Sequence, residues 1–202
     1  MRTSHILEGY GPLDVFLAKQ RYKVARWQVK SVDKNDRILD IGCGGYPLFL
    51  TIVDFEEKYG LDKNITVGTE ENARRDGIIL INHNIDDKEI LPLEDDFFDV
   101  VSMLAVFEHI EPAKLVRVHK EIYRVLKPGG MYVMTTPAFW TDRLLRFLAK
   151  LHLISAISIS EHKGSYSFSD ISPVLRASNF EKEKMRHGYF EIFMNLWVTA
   201  TK

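Results

Sequence analysis

Residues 37–45 read RILDIGCGG, and this stretch carries the strongest indication of the fold. Ile38 to Ile41 form a short, nearly apolar run, which is typical of a buried β-strand. The glycines that follow, within residues 42–45, predict a tight turn, because glycine adopts backbone conformations that other residues avoid. A helix is expected directly afterwards, over residues 48–55. A strand, a glycine turn and a helix in this order let a ligand approach the backbone closely at a helix N-terminus.

Strand-like and helix-like segments alternate along the rest of the chain. Apolar runs typical of strands lie at residues 59–62, 78–81, 98–104, 131–135, 184–190 and 194–201. Helices are expected at residues 13–29, 112–126 and 167–178. This alternation indicates an α/β fold in which crossover helices join parallel strands, and the nearly continuous apolar runs fit a sheet that is covered on both faces.

The first 36 residues are predicted to form an N-terminal helical appendage to a domain spanning residues 37–202. Within the predicted helix, Phe16, Leu17, Val24 and Trp27 lie near helical spacing, and the other face is basic. We expect these apolar residues to pack on a core while the basic face is solvated.

Composition excludes several classes of protein. The 202 residues are 46% hydrophobic and 27% charged, which is typical of a globular domain, and the net charge of −1 argues against a chain built around nucleic-acid phosphates. The single cysteine, Cys43, excludes an intrachain disulfide, and no His, Asp or Glu group has the spacing of a strong metal site. The start does not resemble a secretory signal, and no apolar run is long enough to span a bilayer, so the cytoplasm is the expected location.

Two acids flank the glycine turn. Asp62 follows Gly42 by 20 residues, which is the spacing at which an acid meets ribose hydroxyls in nucleotide-binding folds. Asp40 ends the first strand, where it would repel a dinucleotide pyrophosphate and attract an ammonium or sulfonium group. The charges therefore favour a cationic nucleoside over NAD or FAD. A glycine turn needed only for close packing remains the alternative.

Residues 38–44 resemble motif I of the class I S-adenosylmethionine-dependent methyltransferases. Later segments resemble the family's other features in order and spacing, at residues 59–62, 91–101, 106–110, 126–130 and 161–180. The resemblance covers residues 37–202. It implies a Rossmann-like, seven-stranded, mostly parallel sheet with helices on both faces and an antiparallel last strand, plus the N-terminal helical cap.

The resemblance implies S-adenosylmethionine as the cofactor and assigns residues around it. Gly42, Cys43 and Gly44 would lie beneath its methionine part. Asp40 would orient this loop and the ammonium end of the cofactor, and Asp62 would accept hydrogen bonds from the ribose hydroxyls.

Three further positions complete the expected cofactor site. Asn84 would bind the adenine amine beside the backbone of Ile85, or Asp86 or Asp87 would do so if the register shifts. Leu104 would offer its carbonyl to the ammonium group. Tyr46 stands where the motif usually has a third glycine, and it either covers the cofactor or simply packs.

The reaction that the resemblance implies is methyl transfer to an oxygen or nitrogen of a small-molecule acceptor, such as a sugar or envelope-pathway intermediate. Such an acceptor needs alignment and in some cases a base. Glu108, His109 and His162 are the candidate catalytic residues, although Glu108 and His109 could instead cap a helix. A catalytically inactive cofactor-binding or scaffold protein of the same fold is the alternative function.

The acceptor pocket is expected to use the N-terminal helix and an insertion at residues 138–165. The apolar stretch 138–159 carries Arg143, Arg146 and Lys150, which leaves a peripheral membrane contact open. Acids crowd residues 86–99 and disfavour a nucleic-acid substrate. The sequence does not determine the oligomeric state.

Overall fold

The computed structural model describes residues 14–29, 36–88, 90–141 and 163–202. Within these ranges the helices are α1 (Asp14–Gln28), α2 (Leu48–Ile52), α3 (Val67–Arg75), α4 (Leu115–Val125) and α5 (Phe168–Ala177). The strands are β1 (Arg37–Ile41), β2 (Glu57–Asp62), β3 (Ile78–Asn82), β4 (Phe98–Leu104), β5 (Leu126–Pro137), β6 (Met185–Phe190) and β7 (Asn195–Thr201). Short 3₁₀ turns lie at Phe107–His109, Pro112–Lys114 and Lys182–Lys184.

The described strands form one seven-stranded sheet in the order β3-β2-β1-β4-β5-β7-β6. β1 pairs in parallel with β2 on one side and with β4 on the other. β7 runs antiparallel to both β5 and β6. The predicted mostly parallel sheet with an antiparallel last strand is therefore confirmed. The strand order reverses at β1, and ligands bind at such switch points, beyond the carboxyl ends of the strands.

Helices cover both faces of the sheet, and alternate strand residues separate two cores. Ile38 of β1 packs with residues of α1, α2 and α3, including Ala25, Phe49 and Ala73. Its neighbour Leu39 points the other way and packs with the apolar stripes of α4 and α5. Successive side chains of a strand point to opposite faces, so β1, β3, β4 and β5 contribute to both cores.

Helix α1 packs on the sheet through a different face from the one that the sequence predicts. Ala25 and Val29 are buried against the first core, and the Tyr22 ring packs on Phe49 with a centroid distance of 5.9 Å. Phe16 and Trp27 were expected to face the core and are instead exposed. The prediction was wrong because the small Ala25 allows close approach to the sheet, while the larger residues lie on the opposite side.

Helix α3 spans residues for which the sequence predicts neither a helix nor a strand. Only Ala73 of this helix is buried, so an apolar stripe is missing from the sequence. A capping box stabilises its start, where Thr66 and Thr69 each bond the other's backbone amide. Of the predicted insertion, residues 142–162 lie outside the described residues. No helix in the described ranges combines the length and apolarity needed to cross a membrane.

Candidate cofactor and acceptor site

The glycine turn after β1 forms a loop at the carboxyl edge of the sheet. Gly42 and Gly44 have φ angles of 76° and 75°, in the left-handed region that favours glycine. A Cβ at Gly42 would overlap the Val106 side chain, which follows β4. A Cβ at Gly44 would meet no atom within 4 Å. The loop is therefore packed on one side and open on the other, as the close approach of a cofactor requires.

Asp62, at the end of β2, holds this loop. Its Oδ2 accepts a hydrogen bond of 2.9 Å from the Gly44 amide, and its Oδ1 accepts one of 2.8 Å from the Asn64 amide. The Leu61 carbonyl also accepts a bond of 2.7 Å from the Gly42 amide. A carboxylate oxygen has two lone pairs, so each oxygen of Asp62 retains capacity for a ribose hydroxyl.

Asp40 lies behind the loop and is 4% exposed. The Ser102 hydroxyl on β4 donates a hydrogen bond of 2.7 Å to Oδ1 of Asp40. Burial raises the pKa of Asp40 to about 7, the Ser102 bond opposes the rise, and the charge of Asp62 adds to it. This carboxyl group therefore gains or loses its proton near neutral pH.

The side chains of Cys43 and Tyr46 both contact neighbouring elements of the fold. The Cys43 side chain is buried over β2, where a Cβ on Gly60 would lie 2.8 Å from its Sγ. Burial raises the pKa of the Cys43 thiol, and nearby Asp40 and Asp62 raise it further, so the thiol stays protonated. The Tyr46 hydroxyl donates a hydrogen bond of 2.5 Å to Asp76 at the end of α3. Backbone atoms of this loop therefore remain the groups that can meet a ligand.

The expected adenine side follows β3. The Asn84 side chain closes its own turn, since its Nδ2 donates to Asp87 at 2.6 Å and its Oδ1 accepts from the Asp86 amide at 3.1 Å. Ile85 is half-buried against the core beside it. Asp86 forms an ion pair of 2.6 Å with Lys163.

His83, to which no role was assigned from the sequence, lies between these residues and Asp62. His83 is 4% exposed, and its backbone amide donates a hydrogen bond of 3.0 Å to the Asp62 carbonyl. Its buried Nε2 has no hydrogen-bond partner in the described structure. Burial lowers the pKa of His83, so the ring favours its neutral form. In the sequence, the position of His83 directly after the strand β3 indicates a place at the ligand-binding edge of the sheet.

The chain after β4 turns sharply beside the glycine loop. Leu104 is buried, and Ala105 has a φ of 57°. The Ala105 amide donates a hydrogen bond of 2.9 Å to the Thr135 carbonyl of β5. This turn brings Val106 against Gly42 and places Leu104 at the same edge as Asp40 and Asp62.

Glu108 lies in the next turn and is 2% exposed. Its Oε2 accepts a hydrogen bond of 3.0 Å from the Thr136 hydroxyl on β5. Burial raises the pKa of Glu108, while the charges of His109 and Arg21 oppose the rise. His109 beside it is half-buried, and its backbone amide donates a hydrogen bond of 2.9 Å to the Val106 carbonyl. His162 lies outside the described residues.

The fold thus brings most of the predicted site residues to one edge of the sheet. The cofactor candidates follow β1, β2, β3 and β4, and Glu108 and His109 lie beyond β4 on the way to β5. Among the described residues, no group of three or more His, Cys, Asp or Glu side chains could hold a metal ion. The arrangement can bind a cationic nucleoside beside a titratable acid.

Known proteins resemble this chain in sequence and fold. The profile of a family described as a methyltransferase domain matches residues 39–134. A sterol 4-C-methyltransferase of Caenorhabditis elegans is 33% identical over 111 residues, which are 51% of this chain and 31% of the relative. A demethylmenaquinone methyltransferase of Staphylococcus aureus is 31% identical over 144 residues, which are 64% of this chain and 56% of the relative.

Solved structures extend the likeness to nearly the whole chain. An S-adenosylmethionine-dependent methyltransferase of Thermotoga maritima superposes with a TM-score of 0.65 at 19% identity, over 94% of this chain and 98% of that one. A second one, from Mesorhizobium loti, has a TM-score of 0.66 at 18% identity, over 90% and 98%. At these identities the superpositions establish the fold. The aligned regions of the two curated relatives cover 31% and 56% of their lengths.

Proposed function

We propose that the chain transfers a methyl group from S-adenosylmethionine to an oxygen or nitrogen of a small-molecule acceptor, because it is similar to a methyltransferase-domain family over residues 39–134 and shares the fold of S-adenosylmethionine-dependent methyltransferases. The observation that carries the proposal is the Asp62 carboxylate, which holds the Gly44 amide and lies beside the open side of the loop. The likeness to methyltransferases supports the reaction type, and the site supports the cofactor.

Each part of the cofactor has a matching group at the carboxyl edge. Gly42 and Gly44 would lie beneath the methionine part, where Gly44 leaves the loop surface open. Asp62 would accept the ribose hydroxyls with its remaining lone pairs. The Leu104 carbonyl would face the ammonium group, and the turn at residues 84–85 would border the adenine. When bound, S-adenosylmethionine supplies a methyl group that its sulfonium charge makes electrophilic.

The two acids at the site select for positive charge. A pyrophosphate would be repelled by Asp62 and by the ionised form of Asp40, whereas ammonium and sulfonium groups stabilise that form. A bound cation would therefore lower the pKa of Asp40 from about 7 and keep the carboxylate charged. This argues for a methyl donor and against a nicotinamide cofactor.

We assign proton abstraction from the acceptor to Glu108. A general base works best when its pKa lies near the working pH, and burial raises the pKa of Glu108 toward that range. The Thr136 hydroxyl fixes one oxygen of the carboxylate at 3.0 Å and leaves the other oxygen to the acceptor. His109 is the second candidate, since it follows in the same turn.

The names of the curated relatives favour a second acceptor class. One is named for methylation at a sterol carbon and the other for a demethylmenaquinone. Both names denote apolar ring compounds, so a carbon acceptor of that kind is the competing substrate. A catalytically inactive protein of the same fold would bind the cofactor and transfer no methyl group to any acceptor.

The cofactor is tested by calorimetry with S-adenosylmethionine and its demethylated product. We expect micromolar binding by the wild type and at least tenfold weaker binding by Asp62→Ala. Glu183→Ala is the control, because Glu183 is exposed at the opposite edge of the sheet and its loss should leave affinity unchanged. Failure of the wild-type protein to bind either compound would refute the proposed function.

The acceptor is tested by transfer of a labelled methyl group to a panel of phenols, amines, sugars, sterols and demethylmenaquinones. With an active acceptor, Glu108→Gln should lower kcat about a hundredfold while cofactor affinity stays constant. The same variant should remove the rise of rate with pH, whereas His109→Gln should retain it. A lower melting temperature with an unchanged pH profile would assign Glu108 to structure instead.

A further inference from the structure

Within residues 16–28 of α1, every exposed side chain is basic or aromatic. Across residues 16–28, the exposed residues are Phe16, Lys19, Lys23, Arg26 and Trp27. At 100° per residue they lie within an arc of about 100° around the helix axis. We call this set the basic–aromatic stripe. Trp27 is 67% exposed, although burial of a tryptophan side chain is strongly favoured.

The stripe contributes little to the fold. The helix packs through its opposite side, where Ala25 and Val29 are buried and Tyr22 meets Phe49. Acids that could neutralise the stripe are missing from residues 16–28. Three cations on one side of a short helix form a local positive surface on a chain whose net charge is −1. A role outside the core is therefore needed to explain both the charge and the exposed rings.

We propose that the basic–aromatic stripe forms a docking surface for an anionic lipid bilayer. Lysine and arginine are attracted to anionic headgroups, and tryptophan and phenylalanine insert at the boundary between headgroups and acyl chains. The exposed Phe16 and Trp27 lie beside the three cations and supply the apolar area that enters this boundary. This surface lies on residues other than the 138–159 stretch that the sequence suggested, and it does not depend on which acceptor is methylated.

The test is co-sedimentation of the full chain with vesicles of phosphatidylcholine alone or with one third phosphatidylglycerol. We expect at least tenfold stronger partitioning to the anionic vesicles, and loss of that preference in the triple variant Lys19→Glu, Lys23→Glu, Arg26→Glu. The matched control is Lys120→Glu, Arg176→Glu, Lys182→Glu, which makes the same charge change at exposed positions on α4, on α5 and in the Lys182–Lys184 turn.

A second variant separates insertion from simple charge attraction. Phe16→Ser with Trp27→Ser keeps the net charge and should weaken partitioning at least threefold. Circular dichroism of each variant checks that folding is retained, which is expected for exposed side chains. Equal binding to both kinds of vesicle, binding to neither, or an equal loss in the control triple would overturn the proposal. Tighter binding to a single-stranded oligonucleotide at 150 mM salt would assign the stripe to nucleic acid instead.

Discussion

Replacing Asp40 by asparagine should stabilise the free protein while it weakens cofactor binding. The buried carboxyl has a pKa of about 7 in the folded chain and 3.8 as the ordinary value. Between these pH values the folded state holds a proton that the unfolded state has lost. The wild-type protein therefore loses stability as pH rises from about 4 to about 7, and the loss stays constant above that range.

The size of the effect follows from the shift in pKa. About three pKa units at 1.36 kcal/mol each correspond to about 4 kcal/mol. Asparagine has nearly the same shape, still accepts the bond from Ser102 through its carbonyl oxygen, and carries no proton to lose. The difference in unfolding free energy between Asp40→Asn and wild type should therefore be near zero at pH 4 and reach about 4 kcal/mol above pH 7.

Urea unfolding followed by circular dichroism at pH 4.5, 6, 7.5 and 8.5 measures this difference. Other titrating groups cancel, because they are common to both proteins. Calorimetry at pH 8 should show at least tenfold weaker binding of S-adenosylmethionine to Asp40→Asn, since a neutral amide does not attract the cationic donor. Ser102→Ala removes the bond that opposes the rise in pKa, so it should shift the stability profile of the wild type to higher pH. A difference that is constant with pH would refute the reasoning.

Two other perturbations test the packing around the site. His119 is buried, with its ring bonded to the Leu115 carbonyl and the Tyr132 hydroxyl, and burial lowers its pKa to about 4. The protein should therefore lose about 3 kcal/mol as pH falls from about 6.5 to 4, and a shallower acid-unfolding profile is expected for His119→Gln. Gly42→Ala should cost about 2–4 kcal/mol in thermal melts, because of the positive φ and the overlap with Val106. Adding Val106→Ala should recover only the part due to overlap, and full recovery would contradict a backbone contribution.

The sequence alone determined the strand–turn–helix order, the sheet class and the separation of 20 residues between Gly42 and Asp62. These features depend on neighbours along the chain. Alternation of apolar residues, glycines at a turn and a spacing of 20 residues are all visible without knowing which segments meet. The hydrogen bond by which Asp62 holds the Gly44 amide was not predicted, since Asp40 was expected to orient the loop. Helix α3 was missed because its stability comes from a Thr66 cap and one buried alanine, and not from an apolar stripe.

Only the tertiary structure decided which charges are paired and which surfaces are free of the core. In the sequence, only Lys88 opposes the acids at residues 86–99, yet Lys163 pairs with Asp86, and Lys127 pairs with Asp99 at 2.7 Å. Burial of Glu108 likewise depends on Thr136 reaching it from a distant strand. The exposure of Trp27 was decided the same way, since the close packing of Ala25 on the sheet turns one side of α1 inward. Such contacts join residues far apart in the chain, and local pattern carries no information about them.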